Sequence, residues 1–93
     1  MLAKGRYTIF SFTLVNLRQE EKMILKRILY GYRTEKMVKG KRYQSEQQGV
    51  VEERKGTSLG KGAVLIPAAY ANVLRGIFRK HKVQYHTIEV MKA

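Results

Sequence analysis

Residues 54–82 read RKGTSLGKGAVLIPAAYANVLRGIFRKHK, and this stretch constrains the fold more than any other. Ala63, Val64, Leu65 and Ile66 form an apolar run of strand length, too short for a helix. Pro67 follows at once, in a position where proline opens a helix without losing a needed N–H. Tyr70, Val73, Leu74, Ile77, Phe78 and His81 then recur at helical spacing on one face. Asn72, Arg75, Gly76, Arg79 and Lys80 fall on the other face.

The rest of the chain supplies partners for this unit. Thr8, Phe10, Phe12 and Leu14 alternate with Tyr7, Ile9, Ser11 and Thr13. Their β-branched and aromatic content predicts a strand over 6–15. Its Phe10/Phe12/Leu14 side turns to the core, which leaves Tyr7 and Ile9 facing solvent or a ligand. Asn16 and Gln19 have the spacing of a capping box. Leu17, Ile24, Leu25, Ile28, Leu29 and Tyr32 follow one helical face, so a helix is expected over 17–32, with Gly31 fraying its end.

From Arg33 to Gln48 the periodicity fails. Met37 and Val38 are too few to anchor a long element, and the segment reads as basic, exposed and extended. It leads into a strand at 49–54, GVVEER, which pairs with 63–66 across the glycine-rich loop as a hairpin. In a rival arrangement, 33–48 pairs into the sheet as an extra strand. A last strand spans 83–90. The order strand, helix, strand, strand, helix, strand is that of ferredoxin-like βαββαβ domains. The expected fold class is therefore α+β, an antiparallel sheet with two helices packed on one face. A chain of 93 residues has surface enough for a single core, so 1–93 is expected to be one domain.

Charge narrows the partners. Nineteen Lys and Arg stand against seven Glu, a formal charge of +12. Self-repulsion of that size destabilises the compact state until a polyanion relieves it. Nucleic acid is the first candidate and an anionic membrane surface the second. Cysteine is absent, which removes disulfides and thiolate metal sites and points to a reducing compartment, the cytoplasm. Aspartate is absent too, which removes the Asp-rich magnesium constellations of nucleases and polymerases. No run approaches the ~18 apolar residues of a membrane span. Thr8, Ser11 and Thr13 interrupt the apolar N-terminal run, so it is expected to be a strand and not a signal peptide.

The loop Lys55–Gly62 resembles a phosphate cradle in composition but not in spacing. Only Thr57, Ser58 and Leu59 separate Gly56 from Gly60, and Gly62 follows Lys61. The nucleotide-binding loop needs four intervening residues, Ser or Thr after the lysine, and a helix beyond. The sequence thus predicts a hairpin tip, with Arg54, Lys55 and Lys61 as backbone phosphate contacts. Arg75 and Arg79 lie one helical turn apart on the outer face of the second helix, a spacing suited to phosphates. The densest patch is Lys36, Lys39, Lys41 and Arg42, with Tyr43 beside it for base stacking.

No catalytic set assembles. Glu52 and Glu53 point to opposite sides of the expected strand, and so do His86 and Glu89. No metal, cofactor or enzymatic activity is expected. The basic-Gly-aromatic-Gly-aromatic run of sheet-face RNA readers does not occur, which favours contact through loops, helix faces and phosphates. The expected function is a small basic non-catalytic RNA-binding protein, a component of a ribosome or other ribonucleoprotein, with RNA favoured over DNA and no membrane partner. The alternative is a double-stranded DNA-binding architectural protein. From another class, a protein-interaction module or inhibitor would dimerise through its sheet, using Tyr7, Ile9, Val50 and Val51.

Overall fold

A computed structural model describes residues 4–93; the first three residues of the expected domain lie outside them. Strand β1 (Gly5–Thr13) leads to helix α1 (Gln19–Tyr30), then to strands β2 (Gly31–Val38) and β3 (Lys41–Gln48). A short helix α2 (Val50–Glu53) follows, then β4 (Thr57–Gly60) and β5 (Ala63–Pro67). A 3₁₀ turn at Ala68–Tyr70 enters α3 (Ala71–Lys80), and β6 (Gln84–Lys92) ends the chain.

The domain is α+β. Its main sheet is antiparallel with the order β4-β5-β1-β6, and β2 and β3 form a separate two-stranded sheet. This corrects the expected six-element order: a hairpin and a third helix stand between the first helix and the strand expected next. Residues 33–48 neither stay single nor join the main sheet. They fold back on themselves, Lys36 opposite Tyr43 and Val38 opposite Lys41.

One core joins both long helices to one face of the sheet. Phe10, Val64 and Ile66 share that face and pack with Leu25 and Leu29 of α1 and Leu74 and Phe78 of α3. Phe78 is at its centre, its ring centroid 5.6 Å from Phe10, 4.9 Å from Phe12 and 5.3 Å from Tyr85. Burial of each such side chain contributes about 1.5–3 kcal/mol. The predicted core positions Phe10, Leu25, Leu29, Leu74 and Phe78 are all buried, and Phe12 and Leu14 pack at the margin.

Four local expectations are corrected. Helix α1 starts at Gln19 with Arg18 as its N-cap, and no side chain caps it. Asn16 is held instead in a turn in which the Leu17 N–H donates to the Leu14 carbonyl at 3.0 Å. The helix ends at Tyr30 because Gly31 takes φ 79°, a backbone state that L side chains rarely adopt, while its N–H still donates to the Arg27 carbonyl. Tyr32 is therefore a strand residue. Tyr7, expected at an open face, is only 7% exposed, because β1 is a central strand and Tyr7 lies between Pro67 and Val90 on its two neighbours.

The expected strand at 49–54 is the helix α2. Val51 buries itself in the core, and the Glu53 and Arg54 N–H groups donate to the Gly49 and Val50 carbonyls at 3.1 and 3.0 Å. Tertiary burial of Val51 overrides the β preference of the Val50–Val51 pair. The β4–β5 hairpin consequently begins at Thr57, and its tip is reduced to Lys61 and Gly62. Pro67 closes β5 and caps the 3₁₀ turn, one step before α3 proper.

Candidate nucleic-acid interface

The β2–β3 hairpin is an arm. Every residue from Tyr32 to Gln48 is exposed, so neither face of the ribbon is covered. Two strands of eight residues reach about 26 Å at the usual rise per residue. The radius of gyration records the projection: 15.4 Å, against roughly 12 Å for a compact chain of this length.

An isolated two-stranded ribbon is marginal in water, so the arm depends on its two ends. At the tip, Lys39 and Gly40 take φ 51° and 77°, the positive pair of a type I′ turn, whose twist matches that of the strands. At the root, Gly31 and Gly49 let three backbone segments meet. A Cβ on Gly49 would lie 2.5 Å from the Gly31 nitrogen, and one on Gly31 would lie 2.7 Å from the Gly49 nitrogen.

Strand alternation sorts the arm into two unlike faces. The register places Tyr32, Thr34, Lys36 and Val38 beside Gln47, Ser45, Tyr43 and Lys41. This face has two lysines, two tyrosines and no acid. The other face holds both glutamates of the arm. Glu46 pairs with Arg33 at 3.8 Å, and Glu35 accepts a hydrogen bond from the Gln44 amide at 3.0 Å. Met37 and Arg42 complete that face toward the tip. The acids are thus neutralised on one side, and Lys36, Lys41 and Tyr43 present an unopposed cationic and aromatic surface on the other. Tyr43 is 55% exposed and Met37 67%, so both side chains are available for contact.

The predicted contact residues do not form one patch. Lys36, Lys39, Lys41, Arg42 and Tyr43 are gathered on the arm, with Lys39 at its tip and Arg42 on the face away from Lys41. Arg54 and Lys55 are exposed just after α2. The Arg54 guanidinium stands 5.5 Å from the Tyr70 ring, and Lys55 takes φ 61°. Arg79 is exposed in the last turn of α3. Arg75 is half-buried, donates to the Asn72 side-chain oxygen at 3.0 Å and stands 5.9 Å from the Phe10 ring. Those contacts tie Arg75 to the core. Lys61, at the β4–β5 tip, lines a groove with Lys22 and Lys26 of α1.

The sequence places Lys22 and Lys26 on the outer face of the first helix but does not mark them, Arg27 or Tyr32 as contact residues. Lys22 and Lys26 are four apart on a helix, a spacing that puts both on one face and was legible. Tyr32 was hidden by its fit to the helical period. Its ring lies 5.2 Å from the Arg27 guanidinium, at the base of the arm's cationic face.

Burial pushes the Tyr30 phenol above its ordinary value, and hydrogen bonding with Ser58 partly offsets the rise. No described helix is long and apolar enough to cross a membrane. No family model, curated protein or solved structure matches this chain.

Proposed function

We propose that the protein is a small basic, non-catalytic nucleic-acid-binding domain whose β2–β3 arm is the main contact, with RNA as the favoured polymer. The observation that carries this reading is the segregation of charge on the arm. Lys36 and Lys41 share a face with Tyr32 and Tyr43, while Glu35 and Glu46 lie on the opposite face. Lysines neutralise phosphates and release counterions. Exposed tyrosines stack on bases splayed out of a helix, which RNA loops and bulges supply. A chain at +12 with an uncovered arm suits a ribonucleoprotein component of the cytoplasm, where protein and RNA neighbours clothe it.

The scaffold reading is ferredoxin-like, with residues 31–53 inserted. Without β2, β3 and α2, the elements run strand, helix, strand, strand, helix, strand. In the order β4-β5-β1-β6, β5 separates the strands joined by α1 and β1 separates those joined by α3. That separation is the split strand–helix–strand unit. The sheet face away from the helices offers β1 residues Tyr7, Ile9 and Ser11, of which Tyr7 is buried, so aromatic readout moves from the sheet to the arm.

Duplex DNA is the second reading, because the major groove, about 12 Å wide, admits a two-stranded ribbon. A third, from a different class, is sheet-mediated dimerisation. It is favoured by β6, a nine-residue edge strand with Ile88 and Met91 exposed.

The test is competition between a looped RNA hairpin and a DNA duplex of equal phosphate count, at matched salt. Preferential retention of the RNA is expected, with affinity falling steeply as salt rises. Stronger retention of duplex DNA would replace the first reading by the second. A flat salt response would remove phosphate contact from both. Dimer in sedimentation, without binding to either polymer, would leave the third.

A further inference from the structure

Beyond the arm, one concave site carries a distinct chemistry. A groove of about 770 Å³ lies between α1, the end of β1 and the β4–β5 tip. Its apolar floor is Phe12, Leu14 and Leu29, and its rim is Lys22, Lys26 and Lys61. No acidic residue lines it. Lys22 is half-buried and makes no ion pair among the described residues. Three lysines over an apolar floor call for a ligand that is anionic at one end and flat and apolar at the other.

The backbone builds this site. The Phe12 N–H donates to the Gly62 carbonyl at 2.8 Å, which clamps the tip against β1. Gly62 takes φ 71°, and a Cβ there would lie 2.6 Å from the Phe12 carbonyl oxygen. Lys61, the residue before Gly62, and Phe12 line the groove together, and the Phe12 ring packs on Phe78 at 4.9 Å. Ser58 and Tyr30 add polar groups to the same wall. Lys22, Lys26 and Tyr30 also line a smaller depression that runs on to Gly31, the root of the arm. The groove is therefore continuous with the proposed interface.

We propose that this groove holds one unpaired nucleotide, its phosphate among Lys22, Lys26 and Lys61 and its base on Phe12 and Leu14. The inference rests on the nucleic-acid reading and deepens it, since it adds to the arm's contacts a pocket for one unpaired nucleotide beside the root of the arm. The volume lies within the range of small-ligand sites, roughly 300–1,000 Å³. An acidic peptide would meet the lysines but leave the Phe12 and Leu14 floor without a flat partner. Base stacking on an aromatic ring is tolerant of sequence, so the site selects an unstacked base and not a particular one.

The probe is a fluorescein-labelled uridine trinucleotide, with a trimer of abasic ribose phosphates as its partner and a blunt RNA duplex as the reference. Native protein is expected to bind the base-bearing trimer at least tenfold more tightly than the abasic one. Lys61→Gln, at an exposed tip, and Lys22→Gln/Lys26→Gln are each expected to weaken trimer binding about tenfold and duplex binding less than threefold. Ring resonances of Phe12 should shift with the trimer and not with the duplex. Equal binding of the two trimers, or native trimer affinity in folded groove variants, overturns the proposal while duplex binding keeps the arm reading intact. If native protein binds none of the three, the nucleic-acid reading falls and the groove inference falls with it.

Discussion

Gly31 and Gly49 approach so closely at the root of the arm that neither position has room for a side chain. Gly31 is also held at φ 79°, and a Cβ on Gly49 would lie 2.5 Å from the Gly31 nitrogen. Gly31→Ala is expected to cost about 2–3 kcal/mol, combining positive-φ strain with a backbone clash. Urea unfolding gives the cost, and hydrogen exchange should show arm amides losing protection first. Native stability together with native arm protection would refute the role of the glycine pair.

The arm carries its cations without supporting the core. Lys39→Glu/Lys41→Glu/Arg42→Glu should therefore leave the melting temperature nearly unchanged and weaken RNA binding by tenfold or more. The slope of log affinity on log salt should flatten, by about 0.7–0.9 for each phosphate contact removed. Binding measured across a salt series checks both effects. Unchanged affinity in the folded variant would move the contact to Arg79 and the groove lysines.

Arg75 and Arg79 are one turn apart and are expected to behave differently. Arg75 stands over Phe10 and bonds to Asn72, so Arg75→Ala should cost about 1 kcal/mol of stability with little loss of binding. Arg79 is exposed, so Arg79→Ala should alter binding alone, if either. Paired unfolding and binding curves separate the two effects, and the reverse pattern would return Arg75 to the interface.

Phe78 meets three aromatic rings in the core, whereas Ile24 on α1 is 51% exposed. Phe78→Ala should cost about 3–5 kcal/mol, and Ile24→Ala no more than about 0.5 kcal/mol. Thermal unfolding of the pair tests whether the apolar stripe of α1 is buried along its Leu25–Leu29 line and not at Ile24.

Tyr30 links the groove to proton binding. Its phenol is raised above 10.0 by burial, and hydrogen bonding with Ser58 works against the rise. A group with a raised folded value contributes stability that is fully present below the unfolded value and is lost at higher pH. Stability should thus fall as pH climbs past 10.0, and Tyr30→Phe should remove that part of the fall. Ser58→Ala should raise the Tyr30 ionisation further, followed by its ring resonances. A lowered value would show that the Ser58 contact adds to the rise and does not offset it.

The scaffold was legible wherever one face of an element is buried. Leu74 and Phe78 on α3, Leu25 and Leu29 on α1, and Phe10 on β1 repeat at the period their element imposes, because each must meet the same core. The arm has no buried face, so β2 and β3 leave no alternation to read. Its one local signal is the Lys39–Gly40 turn, weaker than Asn-Gly because lysine must be forced to φ 51°. Val50 and Val51 misled for the opposite reason: their β-branched side chains favour a strand, but Val51 earns its burial in a helical turn. The basic character of the interface was visible in composition. Its division into arm and groove was not, since Lys22, Lys26 and Lys61 come together only when the β4–β5 tip folds back on β1.

The two-residue turn at Lys39–Gly40 acts as an index mark for the whole ribbon. Side chains alternate with a period of two, so a slip of one residue between β2 and β3 would exchange partners across the entire arm. Such a slip would move Glu46 onto the face of Lys36 and Tyr43 onto the face of Glu35. The same composition, net charge and length would then put one glutamate against two cations on each face, Glu46 with Lys36 and Arg42, and Glu35 with Arg33 and Lys41. What the arm offers a polyanion is therefore a matter of phase, set at a single turn.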